Sequence, residues 1–163
     1  MTDWGRVVNM YYTFSILTFL YLFKKNYLEL NESDKIKTLS KIKGDISPEL
    51  FDGLANSTLG SIRAMKEIQK NNGEKACNRY IISNNQSALN ILEVFTMFRL
   101  SDWENPTVDI VPLFETVSDL KVASTVMETV YNNPIYKKHL LSRKNQQTIM
   151  LGFSDGTKDG GYL

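Results

Sequence analysis

Apolar residues recur along this chain in two rhythms. Up to Gly73 they return every three or four positions or run together, and beyond Arg79 short unbroken apolar runs alternate with stretches of helical period. The first half therefore reads as helices. Val7 to Phe23 is a run of 17 uncharged residues, expected to form a buried core helix although it stands at the short edge of what crosses a bilayer. Asn9, Thr13, Ser15 and Thr18, scattered along it, argue against a span, and its start and end lack the features of a signal peptide.

Asn31 to Asp34 supply N-cap side chains for a helix running toward Lys43, with Ile36, Leu39 and Ile42 on one face and Gly44 as its stop. Pro48 opens a short helix through Leu54. Ser57 or Thr58 caps another, on which Leu59, Ile62, Met65 and Ile68 recur every three residues. Asn71-Asn72-Gly73 is a turn signal, and it divides the chain into a helical segment, 1–73, and a second segment, 74–163.

In the second segment the runs YIIS at 80–83, VDIVPLF at 108–114 and TIMLGF at 148–153 each suit a strand buried on both faces. Between them, Ser87 to Leu100 presents Ala88, Ile91, Leu92, Phe95 and Phe98 on one helical face, and Ser118 to Tyr131 presents Leu120, Ala123, Val126, Met127 and Val130. Pro134 starts a further helix through Leu141. Strands separated by helical connections of this length pair in parallel, so the class is α/β: a helical N-terminal half followed by consecutive βα units. Three strands close poorly by themselves, and the chain reads as cut short.

Composition removes several classes. Among 163 residues, 42% are hydrophobic and 23% charged, values of a folded globular chain. Nineteen Lys plus Arg against 18 Asp plus Glu leave a charge of +1, with no global field to attract nucleic acid or anionic lipid. Cys77 stands alone, so neither an internal disulfide nor a cysteine zinc site can form, which favours a reducing, cytoplasmic compartment.

Active groups of βα folds lie beyond the carboxyl ends of strands. Glu115 follows the second run and Asp155 the third, 40 residues apart, where a barrel allots about 30 per unit. Two carboxylates on neighbouring strand ends, with positions left for water and substrate oxygens, suit Mg²⁺ or Mn²⁺ better than zinc. A carboxylate at a strand end also serves as an ordinary helix cap or solvated group, and spacing alone does not separate these. Lys158 could steady a substrate anion or simply be solvated. Gly156, Gly160 and Gly161 resemble a phosphate cradle only loosely, as neither phosphate-loop pattern is present. His139 has no legible triad partners and reads as structural or solvated, and Cys77, near Lys75 and Arg79, reads as a packing residue.

The segment IMLGFSDGTKDGG at 149–161 resembles the signature VMxGYSDSxKDxG of phosphoenolpyruvate carboxylase. VPLFETVSDL at 111–120 and RYIISNNQSALNIL at 79–92 resemble that family's VPLFETxxDL and YIISxxxSxxDVL in the same order. The resemblance implies an internal piece of an incomplete (β/α)8 TIM-like barrel from a large, cytoplasmic, homo-oligomeric enzyme. It implies that Glu115 and Asp155 hold the divalent metal, and that the substrates are phosphoenolpyruvate and bicarbonate, with oxaloacetate and phosphate as products. Lys158 matches the lysine of the signature, as substrate-binding or loop support. Phe153, Gly156 and Asn90 depart from the family's tyrosine, serine and aspartate. The family's G-x-H-P-T and H-G-R-G-G segments are absent, so no catalytic residue is assigned here and the piece is expected to be inactive alone. The competing reading is a non-catalytic helical interaction or membrane-associated module built on Val7 to Phe23.

Overall fold

The structure is a computed structural model, and it describes residues 8–10, 27–42 and 53–161. Among the described residues four strands form one parallel sheet in sequence order: β1 (Val8–Met10), β2 (Arg79–Ile82), β3 (Asp109–Phe114) and β4 (Met150–Leu151). Six α-helices accompany them among the described residues: α1 (Glu32–Lys41), α2 (Gly53–Asn72), α3 (Ala88–Leu100), α4 (Val117–Asn132), α5 (Pro134–Ser142) and α6 (Phe153–Gly160). The α/β class and the parallel pairing agree with the sequence pattern.

Strand β1 corrects one expectation. Val8–Met10 are extended and pair with Tyr80–Ile82, where the apolar run from Val7 to Phe23 predicted helix. An uninterrupted apolar run fits a buried strand as well as a buried helix, and periodicity does not distinguish them. The rest of that run lies outside the described residues, as do Lys43, Gly44 and the helix predicted from Pro48, whose last residue, Leu54, belongs to α2. Helix α2 begins at Gly53, ahead of both proposed caps, and Thr58 is buried inside it.

Alternation sorts the strands onto two faces. Tyr80, Ile82, Ile110 and Phe114 enter the main core with Leu92, Phe95 and Phe98 of α3, and Tyr80 meets Phe98 edge-on at 5.1 Å. Ile81, Val111 and Leu113 form a separate buried cluster on the opposite face. The main core also takes Tyr27, Leu39, Leu59, Ile62 and Met65, so the segments on either side of Gly73 share it.

Helix α3 is buried almost all round, including Glu93, Thr96 and Arg99, rather than along one face as its apolar positions predicted. Thr96 returns its hydroxyl to the Leu92 carbonyl at 2.7 Å and Arg99 reaches Glu104 at 3.1 Å, so two of the three polar groups are locally satisfied. Strand β4 departs in the other direction. It is two residues long, and Met150 and Leu151 are exposed, because no described strand lies beyond this edge.

Candidate metal centre

The β3–α4 junction is built by a capping box. Thr116 caps α4, its hydroxyl accepting the Asp119 N–H at 3.1 Å, while Asp119 accepts the Thr116 N–H at 3.0 Å. This holds Glu115, the first residue past β3, half-buried at the carboxyl end of the sheet. The parity of Val111 and Leu113 carries Glu115 to the side of the second apolar cluster. Its Oε2 accepts the backbone N–H of Asn84, from the β2–α3 loop, at 3.2 Å. Oε1 receives no hydrogen bond among the described residues.

The other predicted carboxylate, Asp155, is on helix α6. Phe153–Gly160 is helical, an element the sequence pattern did not predict, and Asp155 lies in its first turn. Three glycines four residues apart let this helix lie against the β3–α4 junction. A Cβ on Gly152 would stand 3.0 Å from the Cα of Glu115, one on Gly156 would stand 3.4 Å from its carbonyl oxygen, and one on Gly160 would stand 2.8 Å from Cγ2 of Val117. These glycines form a close-packed face and not a phosphate cradle. Asp159 completes the junction by accepting the Val117 N–H at 2.8 Å.

Asp155 therefore sits between two glycines that both touch Glu115. It is exposed and pairs with Lys158 at 3.2 Å, so the lysine read as a substrate or loop residue is, in this structure, the partner of a carboxylate. Among the described residues no group of three or more His, Cys, Asp or Glu side chains is placed to share an ion. Two carboxylates would thus leave most of a hard cation's six positions to water or substrate oxygens. Asn85, one residue past the donor to Glu115, is fully buried with neither side-chain polar atom partnered. Nothing in its spacing marked it.

His139 and Cys77 are both buried away from this end. His139 packs its ring at 4.9 Å from Phe95 and 5.4 Å from Tyr136, the structural role its sequence context gave it.

The space past the carboxyl ends of parallel strands is where α/β enzymes hold their active sites, and Glu115 stands there at the end of β3. Comparison with known proteins narrows this class. A family model described as phosphoenolpyruvate carboxylase matches residues 14–163. The chain is 37% identical over 150 residues to the phosphoenolpyruvate carboxylase of Nitrosomonas europaea and 35% identical over 147 residues to that of Gloeobacter violaceus. It is 33% identical over 151 residues to that of Corynebacterium glutamicum. These alignments cover 84–85% of the chain and 16% of each relative, so the chain spans about one-sixth of their length. The chain belongs to the phosphoenolpyruvate carboxylase family.

Among the described residues no helix is long and apolar enough to cross a membrane.

Proposed function

We propose that this chain is the metal-bearing segment of a cytoplasmic, homo-oligomeric phosphoenolpyruvate carboxylase, which joins bicarbonate to phosphoenolpyruvate to give oxaloacetate and phosphate. The observation that carries the reading is the approach of Gly152 and Gly156 to Glu115, which gathers the LFET and FSDG segments at one end of the sheet. Sequential parallel strands with helices on one face and a second apolar cluster on the other support an incomplete (β/α)8 barrel.

Glu115 and Asp155 would hold Mg²⁺ or Mn²⁺, oxygen ligands suited to a hard ion. When bound, the ion supplies Lewis-acid stabilisation of the enolate charge that develops on phosphoenolpyruvate. The chain's own contribution is to fix the ligands. Asn84 pins Oε2 of Glu115 and leaves Oε1 open, while Lys158 balances Asp155. The histidine and arginine segments of the family are missing from this stretch, so it would not turn over alone.

The test is bicarbonate-dependent oxaloacetate formation by the full-length protein. Glu115→Ala and Asp155→Ala should each abolish it and weaken Mn²⁺ binding measured by electron paramagnetic resonance. Full activity in either variant removes that ligand, and an inactive wild-type protein removes the function.

A further inference from the structure

Helix α3 carries a carboxyl group far from the strand ends. Glu93 is 3% exposed and faces the turn at Tyr27–Glu29 that precedes α1. Its Oε1 accepts the hydroxyl of Tyr27, itself fully buried, at 3.0 Å. No lysine or arginine among the described residues forms an ion pair with it. Lys35 of α1 instead lies over the Tyr27 ring, 5.5 Å from its centroid. The charged groups of α1 that act on Glu93 are Lys35, which favours its ionised form, and Glu32, which opposes it.

A buried carboxylate answered by one neutral donor is poorly compensated, whereas the protonated acid keeps that hydrogen bond without a charge to hydrate. We propose that Glu93, buried beneath Tyr27, makes the docking of residues 27–42 on α3 a proton-linked latch, closed most tightly when its carboxyl is protonated. Helix α1 is also held by the bond from Asn133 Nδ2 to Ser40 Oγ at 3.1 Å and by Leu39 in the core, neither of which carries a titratable group.

Burial pushes the Glu93 carboxyl up to about 7, against the pull of the Tyr27 hydrogen bond and of Lys35. An opened segment returns it to water and to its ordinary value of 4.5. The closed form therefore binds the proton more tightly. The latch is at full strength below 4.5, weakens through the interval between the two values, and is constant above the upper one.

Hydrogen exchange of the full-length protein, read on peptides covering 27–42 as protection relative to an unstructured peptide at the same pH, tests this without reference to catalysis. Protection should fall on the order of a hundredfold between pH 5 and pH 7 and then level off. Peptides of α4 should not share the fall. Glu93→Gln should remove it. Tyr27→Phe takes away the donor that favours the ionised form and should extend the decline beyond pH 7, which keeps the test decidable if Glu93→Gln does not fold. Equal wild-type protection at pH 5 and 7.5, an undiminished fall in Glu93→Gln, or an unextended one in Tyr27→Phe would overturn the latch.

Discussion

Asp159 accepts a hydrogen bond from the backbone N–H of Val117 at 2.8 Å across 42 residues of chain. The acceptor sits near the end of α6 and the donor is the first residue of α4, so a helix terminus that local capping already serves gains a tertiary anchor. This bond and the glycine face together fix α6 beside Glu115.

Asp159→Ala should therefore cost about 1 kcal/mol, the usual scale of a lost cap, while Asp159→Asn, which keeps an acceptor oxygen, should cost a few tenths. Urea unfolding of the two variants checks the order. Equal losses would mean that charge at the α4 terminus, and not the bond, matters.

Gly152→Ala should be worse than Gly156→Ala. The first Cβ meets backbone at 3.0 Å and forces α6 from the junction, at a cost of about 1–3 kcal/mol, while the second finds 3.4 Å and ordinary contact. Under the proposed function, Gly152→Ala should also weaken Mn²⁺ binding to the full-length protein. Unchanged melting and Mn²⁺ affinity in Gly152→Ala would show that the junction yields freely.

His139 makes stability fall in acid. Burial, with the charge of Arg143 nearby, lowers its value to about 4 from the ordinary 6.5, against the opposing effects of Asp109 and a hydrogen bond to the Val108 backbone. The unfolded chain thus binds a proton that the native chain refuses between those values. The contribution is complete above 6.5 and lost as pH falls toward 4, with an upper bound of about 3 kcal/mol. Glu93 slopes the other way, so the measurement is the difference in unfolding midpoint between wild type and His139→Phe at pH 7.5, 5.5 and 4.5. A difference independent of pH would contradict the assignment.

The helix starts were legible where a short polar side chain stands before an apolar period. Asn31 accepts the Asp34 N–H at 2.9 Å, and Pro134, read as a helix start, opens α5. The two central strands were legible because β-branched runs bounded by turns have few alternatives. Helix α6 was not, because Gly156, Gly160 and Gly161 speak for a loop by propensity and only packing against Glu115 and Val117 overrides that. Glu115 and Asp155 could be picked out singly, but the docking of α6 beside Glu115 depends on those glycines. Asn85 and Glu93 carry no local signal, since burial of a polar side chain is set by the assembled fold.

From β2 onward, each described strand of the sheet lies beside the one synthesised immediately before it. Pairing with that order needs no late return of distant chain, so during translation every new βα unit can dock on a surface already formed, which keeps loop-closure entropy small at each step. A pulse-labelled nascent chain stalled after β3 should accordingly protect the amides of β2 before β4 has left the ribosome.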